Sequence, residues 1–173
     1  MKKVELYVPT VNDLWFRQEL LSDPATMSYN AGEDVNYSGY HPGTGCIDFP
    51  KSVWVNFEKK LKDPNFFYAY IKDEETQKFV GNVHFRLDEQ TKKASIDIVV
   101  KAEFRGQGYM KPSLMLLFEV AKAKGVKYLT DTLEESREVA LKGFYELGFK
   151  RVKEFHTQKQ GKTITIVQIE KKL

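Results

Sequence analysis

Apolar and polar side chains alternate in two parts of the chain, at its N-terminus and in its middle third. Because alternate side chains lie on the same face of an extended strand, this pattern predicts half-buried strands. The first predicted strand covers residues 4–8, and three more cover 66–71, 79–87 and 94–100. The last three are joined by short polar turns, which favours an antiparallel meander.

The predicted strand at 79–87 has two distinct faces. The alternation places Phe79, Gly81, Val83, Phe85 and Leu87 on one face, and Val80, Asn82, His84 and Arg86 on the other.

Helical spacing replaces alternation in four segments, which predicts helices over 10–21, 50–61, 109–124 and 132–148. The first and last begin with capping boxes, Thr10 with Asp13 and Thr132 with Glu135. We therefore read Asp131 as a residue at the start of a helix.

The rest of the chain completes the predicted fold. A short strand is expected at 126–129, a closing hairpin at 149–155 and 163–169, and irregular loop at 23–50. This order predicts an α/β fold, also classed as α+β, with a mixed, mostly antiparallel seven-stranded sheet and about four flanking helices. We expect residues 1–173 to form one domain, since single folding units run to about 100–200 residues.

Composition narrows the class of protein. Of the 173 residues, 42% are hydrophobic and 29% charged, as in folded proteins. The net charge of +3 is too small to suggest nucleic acid as a partner. No apolar stretch is long enough for a signal peptide or a membrane span, so a cytoplasmic location without a membrane partner is expected. The single Cys46 and the three His have no metal-ligand spacing, so no metal is expected.

The segment 99–110 carries the chemical signal. Gly106 and Gly108 stand where a predicted strand gives way to an amphipathic helix, and Arg105 precedes them. Glycine allows close backbone approach, and the free amides of a helix N-terminus attract anions. A plain strand-to-helix turn would use the same glycines, but the three features together favour phosphate binding. Two other phosphate-binding motifs do not match. The dinucleotide-binding motif needs a third glycine where Lys111 stands, and the P-loop sequence is absent.

These residues resemble a known family, the GNAT superfamily of N-acetyltransferases. Its hallmark is Arg/Gln-x-x-Gly-x-Gly/Ala, and Arg105-Gly106-Gln107-Gly108-Tyr109-Met110 matches its first four positions. Met110 departs from the final small residue. A second motif is similar through Ala140, Leu141, Phe144 and Leu147-Gly148-Phe149.

The resemblance implies acetyl-CoA as co-substrate. Its pantetheine arm would lie between the strand at 98–100 and the one at 126–129, and its pyrophosphate on the glycine loop. The cofactor-binding residues it implies are Ile98, Val99, Val100, Arg105, Gly106, Gln107, Gly108, Tyr109, Met110 and Lys111.

Acetyl transfer to an amine needs a base for the amine, and an acid helps the thiolate leave. The family often has a Tyr four residues before the Gly of its Gly-Phe pair. Here Phe144 stands at that position, so Tyr145 is our candidate acid, and the alternative is that Tyr145 only packs. Asp97 and His84, on predicted strands among apolar neighbours, are the candidate bases. Ordinary pairing or solvation explains both residues as well.

An acidic region precedes the meander. No Lys or Arg lies between Arg17 and Lys51, whereas five carboxylates and several aromatic residues do. Carboxylates and aromatic faces attract ammonium groups, so Glu33 and Asp34 are candidate acceptor-binding residues for a cationic amine. A hydrated loop is the alternative.

The function predicted from the sequence is acetyl transfer from acetyl-CoA to a primary amine by direct attack in a ternary complex. The acceptor is a small molecule or a peptide. The alternatives are a non-catalytic acyl-CoA sensor and a nucleotide-binding domain. A homodimer is left open.

Overall fold

A computed structural model describes residues 2–173, and a seven-stranded sheet runs through its centre in the order β1-β2-β3-β4-β5-β7-β6. All neighbouring strands are antiparallel except β4 and β5, which are parallel. The strands are β1 (Val4–Tyr7), β2 (Phe66–Asp73), β3 (Phe79–Asp88), β4 (Lys93–Val100), β5 (Tyr128–Glu134), β6 (Lys150–Lys159) and β7 (Lys162–Lys172). The predicted mixed, mostly antiparallel α/β architecture is confirmed.

Five α-helices of the described residues flank the sheet, one more than expected. They are α1 (Trp15–Ser22), α2 (Pro24–Met27), α3 (Trp54–Lys60), α4 (Met110–Ala123) and α5 (Glu138–Glu146). The additional helix, α2, lies in the segment expected to be irregular loop. It forms because the Asp23 side chain accepts a hydrogen bond from the Ala25 amide and Pro24 occupies the first helical position.

Each face of the sheet has its own apolar core. The first core lies under α4 and α5 and includes Leu114, Leu117, Phe144 and Ile96. The second core lies under α1 and α3 and is rich in aromatic residues, among them Phe16, Trp54, Phe57, Tyr68 and Tyr70. No helix within residues 2–173 is both long and apolar enough to span a membrane.

The face assignment predicted for β3 is wrong at its first two residues. The register with β2 shifts so that Ile71 pairs with Gly81 while Lys72 pairs with Phe79. This bulge inserts one residue, Val80, and reverses the alternation. Phe79 therefore packs against Tyr70 in the second core, and Val80 lies in the first core.

The helix predicted to open at Thr132 is also misplaced. Thr132 and Asp131 lie inside β5, which pairs with β7 as far as Glu134, and α5 begins only at Glu138. Pairing with β7 along seven residues outweighs the local capping pattern. Asp131 is consequently a strand residue rather than the start of a helix.

Candidate functional site

The parallel strands β4 and β5 separate partway along their length. They pair only at Lys93–Tyr128, Ala94–Leu129 and Ser95–Thr130. Beyond that point β4 stays paired with β3 and β5 with β7, so the facing edges of 96–100 and 131–134 have no ladder partner. Backbone groups on such open edges can pair with an extended ligand.

A cavity of about 770 Å³ fills this gap. One wall is the end of β4, another is the second half of β5, and a third is α5. At its far end lies the glycine loop, which we define as residues 105–109. All ten predicted cofactor-binding residues line the cavity except Gln107, whose side chain donates to the Glu103 carbonyl.

The glycine loop exposes its backbone. Gly106 and Gly108 have φ of +73° and +85°, and a Cβ added at either would meet no atom within 4 Å. The amides of 106–109 donate to no protein acceptor within residues 2–173, and α4 has no side-chain cap. Free amides at a helix N-terminus suit a pyrophosphate, so the residues present fit the phosphates of a CoA molecule.

Met110 is accommodated by a glycine on the opposite wall. A Cβ added at Gly143 of α5 would lie 3.0 Å from the Met110 sulfur. The bare backbone at Gly143 thus leaves room for the side chain that departs from the sequence motif. The two residues are 33 positions apart, so no local sequence pattern connects them.

Tyr109 anchors the loop to the end of β2. Its ring is buried, and its hydroxyl donates to Asp73 Oδ2 over 2.6 Å. This hydrogen bond and two backbone amides hold the pKa of the Asp73 carboxyl well below its usual range. Tyr109 therefore positions the loop, and its phenol is already engaged.

Arg105 lines the cavity but directs its donors to protein carbonyls. Its Nε donates to Val100 O, its Nη1 to Ala25 O and its Nη2 to Thr26 O, the last over 2.6 Å. The Ala102 amide also donates to Thr26 Oγ1. The guanidinium thus ties α2 to the glycine loop and places a positive charge beside that loop.

Two carboxylates reach the cavity from its two strands, Asp97 from β4 and Asp131 from β5. Burial raises the pKa of Asp131 to about 7, with a smaller contribution from the charge of Asp97, and the Thr132 amide opposes the rise. Asp131 therefore exchanges a proton near neutral pH. The local capping pattern, which places this position at a helix start, hides Asp131 as a candidate base in the sequence.

A model of the acetyltransferase (GNAT) family matches residues 34–149. The chain belongs to the GNAT acetyltransferase family. No curated protein sequence matches it significantly. The fold is similar to that of a spermidine N-acetyltransferase from Vibrio cholerae in complex with CoA and spermine. That match has 14% identity, covers 98% of this chain and 95% of the other, and has a TM-score of 0.79.

Two further solved structures share the fold. A GNAT acetyltransferase from Streptococcus pneumoniae is 15% identical, with 99% of this chain and 100% of the other covered and a TM-score of 0.78. A ribosomal-protein-alanine N-acetyltransferase from Brucella melitensis is 16% identical, with 99% of each chain covered and a TM-score of 0.76.

Within this GNAT domain, Tyr145 does not lie on the cavity. Its side chain is 42% exposed, whereas the neighbouring Phe144 is buried and lines the cavity. One helical residue corresponds to a rotation of about 100°, which turns the phenol outward. The structure gives Tyr145 no position from which to protonate a thiolate in the gap. This placement does not support Tyr145 as the acid.

Tyr29, unlike Tyr145, places a phenol on the cavity lining. It lines the gap, and the Arg137 guanidinium lies 4.7 Å from its ring centre. Burial and the charge of Asp97 raise its pKa, so the hydroxyl stays protonated at neutral pH. No local sequence signal could identify Tyr29, because it reaches the site from the region between α2 and β2.

His84 lies beside Asp97 but not on the cavity lining. The two residues pair across β3 and β4, with 3.5 Å between His84 Nδ1 and Asp97 Oδ2. Burial lowers the pKa of His84, and Asp97 opposes that change. The structure thus brings the two candidate bases together, with Asp97 nearer the gap.

Glu33 and Asp34 do not line the cavity. The Glu33 carboxylate forms an ion pair of 3.0 Å with Lys159, which also contacts Glu134 and the Tyr29 carbonyl. Glu19 and Asp48 of the acidic region pair with Lys101 and His41. Much of the acidic region is therefore neutralised within the protein, which does not support it as a wall for a cationic acceptor.

Proposed function

We propose that this GNAT domain transfers the acetyl group of acetyl-CoA to a primary amine by direct attack in a ternary complex. The observation that carries the proposal is the separation of β4 from β5 after Ser95 and Thr130, with an open cavity and a glycine loop at its end. The spermidine N-acetyltransferase of similar fold is consistent with an amine as acceptor.

Two segments of the chain would bind two different parts of the co-substrate. The free amides of 106–109 and the N-terminus of α4 would hold the pyrophosphate, and the open edge of β4 at 98–100 would pair with the pantetheine amides. Acetyl-CoA supplies an activated acetyl thioester. A free amide of β4 in the gap is the natural hydrogen-bond donor to the carbonyl oxygen as negative charge develops on it.

Two carboxylates on the cavity lining are candidates to accept the proton of the amine. Asp131, with a pKa of about 7, can take a proton from the ammonium form of an acceptor, and Asp97 lies on the facing strand. His84 would orient Asp97 from the adjacent strand. For the departing thiolate, Tyr29 is the protonated hydroxyl on the lining that we assign as donor.

A covalent acyl-cysteine route has no support in the fold. Cys46, the single cysteine of the chain, is buried in the second core and is not on the cavity lining. Direct attack needs no protein nucleophile, which matches the groups present.

The test combines binding and turnover. Acetyl-CoA binding is measured by calorimetry, and thiol release is measured with and without a panel of primary amines, so that hydrolysis is subtracted. Amine-dependent release supports the proposal. Tight binding without such release would instead indicate an acyl-CoA sensor. Equal binding of NAD or ATP would indicate a nucleotide site.

A further inference from the structure

A row of polar side chains crosses the sheet on the α1–α3 side. Tyr68, His84 and Asp97 are directly opposite one another on β2, β3 and β4. Directly opposed residues project from the same face, so these three side chains form a line that ends at the gap between β4 and β5. The Tyr68 and His84 rings are stacked with 6.1 Å between their centres.

Three buried polar atoms without a hydrogen-bond partner gather at this row. Within residues 2–173 they are Arg17 Nε, Tyr68 OH and His84 Nδ1, of which His84 Nδ1 still lies 3.5 Å from Asp97 Oδ2. Tyr68 is only 1% exposed, yet its hydroxyl has no acceptor. A buried polar group that lacks a partner costs about 1–3 kcal/mol, so unpartnered groups in one place suggest that an absent molecule completes them.

Arg17 brings a positive charge to the same place. Its guanidinium carbon lies 5.0, 4.4 and 5.0 Å from the ring centres of Phe49, Phe57 and Tyr68. Within residues 2–173 its Nε has no hydrogen-bond partner and no carboxylate forms an ion pair with it. Burial raises the pKa of Tyr68, and the nearby Arg17 guanidinium opposes that rise. Arg17 is nevertheless partly accessible to solvent. An Arg side chain carries five N–H donors, and because no carboxylate occupies those of Arg17 they can bind an anion.

Lys60 and Arg86 extend this charge. The Lys60 Nζ lies 4.4 Å and the Arg86 guanidinium carbon 5.3 Å from the centre of the Phe66 ring. Partial burial of its ammonium group lowers the pKa of Lys60, although the residue as a whole is exposed. The charges of Arg86 and Arg17 lower it further, and Asp63 opposes the change. The one carboxylate near Arg86, Asp63, is 4.0 Å away. We call Arg17, Lys60 and Arg86 the cation cluster.

We infer that the cation cluster binds an anionic group, a carboxylate or a phosphate, on the acceptor whose amine is acetylated beside Asp97. This inference rests on the proposed function and specifies the acceptor class. The cluster lies over β2 and Asp97 projects from β4, so the anionic group and the amine are about 10 Å apart, two strand spacings. A polyamine would meet repulsion at this position.

The test uses primary amines of one length that differ in the distal group. They are aminohexanoate and its amide, aminohexyl phosphate and aminohexanol, and diaminohexane. The wild-type protein is expected to acetylate at least one anionic amine with a kcat/KM about ten-fold or more above that of its uncharged counterpart, as one charge-assisted contact would give. The preferred anion distinguishes carboxylate from phosphate.

Charge-removing variants connect the preference to the cluster. Arg17→Met and Lys60→Met should each reduce the preference about ten-fold and leave the KM for acetyl-CoA unchanged. Lys59→Met is the matched control, because Lys59 is adjacent, exposed and outside the cluster. Lys60 is also exposed, so its variant keeps the test valid if Arg17→Met does not fold.

Binding separates this inference from the proposed function. Calorimetry measures the five amines on CoA-saturated protein, whether or not turnover occurs. Selective binding of an anionic amine that is lost in Arg17→Met supports anion binding by the cation cluster. If no amine is acetylated, that absence of turnover overturns only the proposed function. Equal binding and kcat/KM for charged and uncharged amines, a preference for diaminohexane, or a preference that Arg17→Met and Lys60→Met retain would overturn the inference.

Discussion

Replacing Asp131 with Asn is expected to stabilise the fold while impairing the reaction. Asp131 of β5 lines the cavity between β4 and β5. Its pKa is about 7, against an ordinary value of 3.8, because burial disfavours its charged form. Asparagine has nearly the same shape and keeps an oxygen for the Thr132 amide, which donates to Oδ1 over 2.7 Å. It differs chiefly in being neutral at every pH.

The magnitude follows from the pKa difference. The folded state binds a proton on Asp131 that the unfolded state releases between about pH 4 and pH 7, so wild-type stability falls as pH rises through this window. The full difference corresponds to about 4 kcal/mol. Since the side chain is partly exposed, we expect about 1–2 kcal/mol at pH 8. For a chain of this size that raises Tm by about 3–6 °C.

Thermal unfolding of wild type and Asp131→Asn at about pH 8 and pH 5 measures the effect. The stabilisation should shrink by more than half at the lower pH, where the wild-type carboxyl is protonated in the folded state. Asp34→Asn, at an exposed carboxylate, is the control and should change Tm little at either pH. A variant no more stable than wild type at pH 8, or a gain independent of pH, would refute the assignment of a buried, proton-exchanging carboxyl.

Three further predictions concern the loop and the phenols. Arg105→Met should lower the free energy of unfolding by about 1–2 kcal/mol through its lost carbonyl hydrogen bonds, and an unchanged urea midpoint would contradict this. Gly108→Ala should weaken acetyl-CoA binding about ten-fold in calorimetry, because its φ of +85° strains alanine. Gly161→Ala is the control: its φ is +74° in the β6–β7 hairpin, so it should lower Tm without changing acetyl-CoA binding. Tyr29→Phe should lower kcat about ten-fold or more, whereas Tyr145→Phe should leave kcat unchanged. A larger loss of kcat in Tyr145→Phe than in Tyr29→Phe would reject Tyr29 as the acid.

The parts of the fold that depend on local pattern could be predicted from the sequence. Alternation located β2, β3 and β4, and helical spacing located α4, because each signal is contained in one segment. The glycine loop was recognisable for the same reason, since positive φ and free amides depend on residues adjacent in the chain. The Phe79 and Thr132 expectations failed where pairing with another strand set the local structure.

The chemistry of the gap depends on contacts that no local pattern contains. Tyr29 reaches the cavity from before β2, and Gly143 makes room for Met110 from another helix. Arg17 was recognised only as the edge of an acidic segment, whereas the fold surrounds it with three aromatic rings. Such groupings follow from packing, so the sequence alone could not supply them.

The central claim is that the amides of the glycine loop hold the pyrophosphate of CoA where β4 and β5 part. A crystal structure of the protein with CoA tests it most directly. We expect the diphosphate oxygens within hydrogen-bond distance of the amides of 106–109, and the pantetheine arm alongside 98–100. CoA bound elsewhere, with those amides facing only solvent or protein, would contradict the account.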